Sequence, residues 1–364
     1  MADAMMMTIN GRFVSQRATG VQRYAREIVT ELDRLLQEKR FKSSVSAKLA
    51  MPAGSELDAP LRAIRCEQIA GGGPLWDQTV LPFSTEGVLL SLCNIGPLSV
   101  AKQIICIHDL NVFITPESYS RAFRSYYRLM LPLLAKRAAR IVTVSQFSAH
   151  MLTGFGLCKA EKLTVIPNGH EHVRRWRPSL SRYASMEAGQ RPFIFMLGIA
   201  LHKNVGTLLA IAEQLDTLGL DILVAGASGK SFSTLDAGPV PHNVRILGFI
   251  TDDDIAALYQ NALCFAFPSL TEGFGLPALE ALALGCPVIA SNAASLLEVC
   301  GDAALYADPA SPRDWLCQIK RLQDGLDLAQ MLRVKGFRQA KRFSWAKSAE
   351  LYLDLVTSLY ERAD

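Results

Sequence analysis

The 364-residue sequence is poor in the features that mark several large classes of protein. No apolar run approaches the length of a membrane span, so no transmembrane segment is expected. The eight cysteines (Cys66, Cys93, Cys106, Cys158, Cys264, Cys286, Cys300 and Cys317) show no C-x-x-C spacing, and several lie in apolar runs. They are expected to be buried thiols in a reducing cytosol, neither a disulfide framework nor a zinc site. An excess of either charge is lacking as well: 38 Lys and Arg against 34 Asp and Glu leave a net charge of +4, which gives no argument for nucleic acid as a partner. No G-x-G-x-x-G follows the first expected strand with an acid about 20 residues on, which argues against a dinucleotide-dependent dehydrogenase. No D-x-D cluster sits in a context suited to a metal; Asp252, Asp253 and Asp254 read as a helix start with a solvated acidic edge. The first residues, MADAMMMTIN, carry an acid at Asp3 and no basic flank, so a signal peptide is not expected there and a cytoplasmic location is.

What is present is apolar and rhythmic. Hydrophobic residues make up 50% and charged residues 20% of a chain long enough for two cores. Short apolar stretches at 7–13, 89–93, 102–107, 141–144, 193–197, 222–225, 244–250 and 263–267 alternate with longer helical patterns. That alternation predicts an α/β protein with parallel sheets and helices on both faces. Between 171 and 190 the composition turns polar and basic, which reads as an interdomain linker.

The densest chemistry lies at 262–307. An apolar strand ends at Pro268 and Ser269, Glu272-Gly273-Phe274-Gly275-Leu276-Pro277 follows, and a short helix from Pro277 stops at Gly285. Two glycines ahead of a helix let backbone approach a ligand, and the unpaired N–H groups of the first turn favour a phosphate. Glu272 precedes that turn and Glu280 follows it, each able to accept two hydrogen bonds from a vicinal diol. The ligand implied carries hydroxyls on both sides of a phosphate, as a nucleotide sugar does.

E-G-F-G-L-P-x-L-E-A followed by G-C-P-V-I-A-S resembles the E-x7-E signature of the family 4 retaining glycosyltransferases, and V-S-Q-F-S, V-I-P-N-G and F-S-W-A-K-S-A-E resemble further segments of that family. The resemblance implies the GT-B fold, two doubly wound Rossmann-like domains facing an interdomain cleft. It places an acceptor-side domain at 1–176, a donor-side domain at 177–345 and a closing helix at 346–364 that crosses back to the first. By the same resemblance Glu280 would hold the ribose, Glu272 and His108 would orient the transferring sugar, and Gly273, Phe274, Gly275 and Leu276 would surround the donor. Lys203 would neutralise the departing diphosphate. Many relatives have an arginine just before that lysine; here the loop reads G-I-A-L-H-K-N, so either the diphosphate has one cation fewer or His202 contributes. Ile250 lines the base pocket or is ordinary core.

On the acceptor side, T-G-V-Q-R-Y-A looks like the glycine loop opening the family's first helix, with Gly20 facing the cleft and Thr19 as its cap. A single glycine there is otherwise only a turn. His108-Asp109 stands at the carboxyl end of a strand, where open α/β sheets place ligands; the pair is a site or a structural hydrogen-bonded couple, with Asp109 supporting loop or ring. Residues 121–140 are basic and aromatic, with Pro132 expected to kink the helix. They either cover a core or make peripheral contact with an anionic membrane at its inner face.

The function expected is a retaining, metal-independent hexosyltransferase of polysaccharide biosynthesis needing no cofactor. GDP-mannose is the favoured donor and a saccharide or lipid-linked oligosaccharide the acceptor. A nucleotide-sugar epimerase on the same fold and a non-catalytic nucleotide-sugar-binding subunit are the rival readings.

Overall fold

A computed structural model describes residues 5–17, 19–38, 45–73, 75–185, 191–226 and 240–361. Gly229, expected in the loop after the second strand of the C-terminal half, lies outside them. The chain forms two compact units: one contains the chain up to Phe113, Arg121–Gly169 and the segment from Ser344, the other Ile114–Ser120 and His170–Phe343.

In the first unit β1 (Met5–Asn10), β2 (Val45–Pro52), β3 (Arg65–Ile69), β4 (Val88–Ser91), β5 (Gln103–Cys106), β6 (Arg140–Thr143) and β7 (Leu163–Val165) form one sheet in the order β3-β2-β1-β4-β5-β6-β7. In the second, β8 (Phe193–Leu197), β9 (Asp221–Ala225), β10 (Val244–Gly248), β11 (Cys264–Phe267), β12 (Val288–Ser291) and β13 (Ala304–Ala307) are ordered β10-β9-β8-β11-β12-β13. Every pairing is parallel. The central strands are apolar on both faces, as Ile104, Ile105 and Cys106 or Ile222, Leu223 and Val224 illustrate, because helices cover both sides of such a sheet. Strand order reverses between β1 and β4 in one unit and between β8 and β11 in the other. Loops leaving the carboxyl ends of strands at such reversals form the natural ligand crevices of this architecture.

Several elements differ from the sequence reading. The first strand ends at Asn10, whose side chain accepts from Arg12 N–H and starts a 3-10 turn over Gly11–Ser15, so Phe13 is core but not strand. β2 and β3 fall in a stretch where the pattern gave no strand. The helix Arg121–Arg137 runs on through Pro132. Two thiols, Cys66 and Cys317, are exposed rather than buried, and no cysteine is bonded to another.

The stretch from 171 to 185, though largely exposed, is tied to the second unit. Its Arg177 N–H donates to Asp253 and its Ser181 hydroxyl to Asp254, at 2.6 and 2.7 Å, which binds it to the helix Asp252–Asn261. The second unit accordingly starts at His170, ahead of the expected 177, and the His170 ring bonds the Phe343 carbonyl at 2.7 Å where that unit ends.

The last helix, Trp345–Glu361, belongs to the first unit. Tyr352 meets the Tyr24 hydroxyl at 2.8 Å, Ser348 donates to Pro167 O, and Tyr360 donates to Met6 O while accepting from Met6 N–H. Among the described residues no helix is long and apolar enough to cross a membrane.

Candidate active site

The second unit concentrates its chemistry at the reversal between β8 and β11. The loop leaving β11 reaches the helix Leu276–Ala283 through Gly275, whose φ of +94° is one that side-chain-bearing residues avoid. A Cβ there would also lie 2.5 Å from Leu296 Cδ2. The glycine is therefore fixed by backbone and by packing, and it delivers the helix N-terminus at the carboxyl end of the sheet. Gly275 O closes the first turn with Ala278 N–H at 3.0 Å. Phe274 and Leu276 are buried, Phe274 edge-on to Phe343 at 5.5 Å, so both shape the turn from beneath. Gly273 links Glu272 to this turn.

The two glutamates are each already engaged, by different partners. Lys203, in the loop leaving β8, places Nζ 2.6 Å from Glu272 Oε1 and 5.0 Å from the Phe267 ring centre. Its aliphatic stem lies over Gly198, where an added Cβ would meet Lys203 Cγ at 3.3 Å, so that glycine leaves the lysine its path. Asn204, in the left-handed conformation with φ 55°, donates to Pro268 O and Pro309 O and ties the loop down. Ser295 donates to Glu272 O at 3.0 Å. Glu280 instead meets His172 Nε2 at 2.8 Å; His172 is fully buried and edge-on to Trp176 at 5.4 Å.

Glu280 is thus not a bare carboxylate awaiting a diol. Its partner was missed because His172 lies in a polar, arginine-rich run; the only signal was the alternation H-E-H after a P-N-G turn.

His202 stands beside Lys203, half-buried and stacked on Tyr119 with ring centres 6.4 Å apart, and Leu270 N–H donates to its carbonyl. Burial, then the neighbouring Lys203 charge, push its pKa below the usual value, and its buried Nδ1 has no hydrogen-bond partner among the described residues. The neutral imidazole is therefore favoured near pH 7, unlike a permanently charged arginine. Ile250 is half-buried just beyond β10, next to the exposed Phe249.

In the first unit His108 follows β5, only 6% exposed. Its Nε2 lies 2.8 Å from Leu92 O, a carbonyl that can only accept, so Nε2 carries the proton and Nδ1 an acceptor lone pair. Asn94 receives the His108 N–H and Ser148 donates to its carbonyl. Burial lowers the ring's pKa to about 4, leaving it neutral. Asp109 accepts from Asn111 N–H at 2.9 Å and so supports the loop, while the imidazole is held by Leu92. Gly20 begins the helix Gly20–Gln37, and Gln22 reaches back to Thr19 N–H at 3.2 Å. A Cβ on Gly20 would meet nothing within 4 Å, so no protein packing demands glycine there.

A cavity of about 720 Å³ lined by Pro132, Lys136, Arg140, Lys159 and Lys162 lies at the opposite, amino-terminal ends of β6 and β7 and takes no part in this arrangement.

Comparison with known proteins agrees with the geometry. The family described as glycosyl transferases group 1 matches residues 182–338, and Glycosyltransferase Family 4 matches 85–174. The sequence is 30% identical over 263 residues to O-antigen chain mannosyltransferase B of Escherichia coli, covering 68% of each chain. It is 39% identical over 286 residues to the serotype-specific mannosyltransferase WbdA of Escherichia coli, covering 71% of this chain and 34% of that one. By structure, sucrose-phosphate synthase from Thermosynechococcus elongatus gives a TM-score of 0.74 at 17% identity, covering 99% of this chain and 100% of that one. HepE of Anabaena, solved with UDP and glucose, gives 0.74 at 18%, covering 98% and 100%. Both share the fold.

The chain belongs to the family 4 glycosyltransferases, with the GT-B fold. Within that family it is of the polysaccharide mannosyltransferase kind.

Proposed function

We propose that the protein moves a hexose, mannose by preference, from a nucleoside diphosphate to a saccharide or lipid-linked oligosaccharide acceptor in polysaccharide assembly, with retention of anomeric configuration. The observation that carries this reading is the Lys203–Glu272 pair beside the Gly275 helix N-terminus at the β8/β11 reversal. A diphosphate at that N-terminus offers Lys203 new oxygens. As the sugar–phosphate bond breaks, the lysine charge and the first-turn N–H groups oppose the negative charge that develops on the leaving group.

Glu272, released from part of its ion pair, accepts from sugar hydroxyls. Glu280, oriented by His172, accepts from the ribose. His108 Nδ1 accepts from a sugar hydroxyl and does not act as an acid, because its other nitrogen is committed to Leu92. Attack comes on the face the diphosphate leaves, a leaving phosphate oxygen takes the acceptor's proton, and no protein carboxylate dyad is used. The reading includes no metal or cofactor, Ile250 beside the base and Gly20 on the acceptor side.

Screening GDP-, UDP- and dTDP-sugars for thermal stabilisation identifies the donor. Proton NMR of the product then reads the anomeric configuration, and inversion there would remove the retaining mechanism. Full activity in EDTA is expected. Peripheral contact of residues 121–140 with an anionic membrane belongs to the same reading and fails if neutralising Arg121, Arg124 and Arg128 together leaves liposome sedimentation unchanged.

A further inference from the structure

The helix Arg121–Arg137 connects the segment after β5 to the start of β6, so it runs antiparallel to the strands. Its N-terminal half therefore lies toward the carboxyl ends of the sheet, where the first unit's ligand crevice belongs. Arg128 anchors it there, donating from Nε to Val112 O at 3.2 Å with its guanidinium over the Phe113 ring at 5.6 Å. This half is aromatic: Phe123 stacks on Tyr127 with centres 4.2 Å apart and 20° between planes, and Tyr126 meets Tyr127 edge-on at 5.8 Å. Phe123 keeps 40% of its surface exposed.

Among the polar groups nearby, one is left open while the others hold one another. The Tyr126 hydroxyl is buried and has no hydrogen-bond partner among the described residues. Burial, then the Asp77 carboxylate, raise its pKa, in keeping with a site beside Asp77. Asp77 is itself buried and held by Asn10 Nδ2 at 2.9 Å and by Arg12, whose side chain is 21% exposed. Asn10 and Arg12 leave the carboxyl end of β1, at the β1/β4 reversal, and the turn can lie there because residue 11 is glycine: a Cβ would sit 2.6 Å from Ala50 O.

A stacked, half-open aromatic pair, a guanidinium fixed by a carboxylate and an unsatisfied phenol together match a pyranose. Its C–H face packs on rings, and its hydroxyls both donate and accept.

We propose that Phe123, Tyr126, Tyr127 and Arg12 form the platform for the sugar ring of the acceptor, with Tyr126 bonding one of its hydroxyls; this rests on the glycosyltransferase reading above. The acceptor is then recognised as a saccharide. The phenol's unmet hydrogen bond, a cost in the free protein, is satisfied by the ligand.

Tyr126→Phe separates the possibilities, with Phe123→Leu as a second variant. The expected result for Tyr126→Phe is an acceptor KM raised about tenfold, the value of one lost hydrogen bond to a bound hydroxyl. Donor KM should stay within twofold and the thermal midpoint should be no lower than that of the parent. Phe123→Leu should raise acceptor KM severalfold in the same way. Acceptor KM unchanged in both variants, or donor KM and thermal midpoint deteriorating together, overturns the proposal. A parent protein that consumes no nucleotide sugar defeats the function reading instead. The Kd of mannobiose for parent and variants, measured by NMR titration without donor, then decides this inference alone: weaker binding in the variants upholds it, and equal or absent binding ends it.

Discussion

The two strand-order reversals are built in different ways. At β8/β11 each glutamate has its own partner within one unit, Lys203 for Glu272 and His172 for Glu280. At β1/β4 the Arg12–Asp77 pair, with only its carboxylate fully buried, lies near a phenol that has no partner among the described residues, and the same unit holds the neutral His108. On the proposed function the first arrangement holds a lysine charge to be exchanged for a diphosphate, and the second offers hydrogen-bonding groups and ring surfaces to a neutral partner. An electrostatic site therefore depends on pairs, and a site for hydroxyls on directional groups left open.

The largest expected effect tests the charged side. Lys203→Ala should lower kcat by roughly 10²–10³, the loss seen when a stabiliser of developing negative charge is removed. Combining it with Glu272→Ala should cost less than the two changes summed, because the residues act as a unit; additive losses in transfer assays would break the comparison.

The neutral side makes its prediction through pH. The unfolded chain protonates His108 near 6.5 and the folded chain near 4, so between those values the unfolded state binds more protons. Stability should be complete above 6.5 and fall as pH drops through that window, by roughly 3 kcal/mol at its foot. Urea unfolding of His108→Gln should show that acid limb flattened. A third change, Gly275→Ala, should destabilise by about 1–3 kcal/mol through its positive φ and its clash with Leu296, and should weaken donor binding at the same time. The smallest effect concerns orientation: His172→Asn should weaken donor binding about tenfold while leaving acceptor KM alone. Calorimetric titration with the donor checks it, and an unchanged Kd would show that Glu280 needs no positioning partner.

Local chemistry made the donor side readable. Glu272, Gly275 and Glu280 lie on one turn and one helix, and Lys203 sits beside an asparagine that bends its loop, so sequence spacing carried their arrangement. The alternation of strands and helices likewise carried the α/β class. What spacing could not carry was partnership across distance. His172 and Glu280 are far apart in sequence, as are Asn10 and Asp77, and each pair is made by the sheet's strand order. β2 and β3 were not legible, since Lys48 sits in β2 and β3 is largely exposed, so neither gives a clean apolar run. The linker reading of 171–190 missed, for a related reason, that residues 170–185 group with the second unit: Asp253 and Asp254 hold the Arg177 N–H and the Ser181 hydroxyl, and a composition count does not see the partner.

The last helix gives the first unit a remote handle. Tyr352 fixes Tyr24 through paired hydroxyls, and the Tyr24 ring stands edge-on to His108 with centres 4.8 Å apart. Trp345, on the same helix, packs against that ring from another direction at 5.6 Å. A protease cut or a fused tag that loosens the last helix would therefore be felt by the histidine within two side-chain contacts, and a lesion there would imitate a mutation at His108 itself.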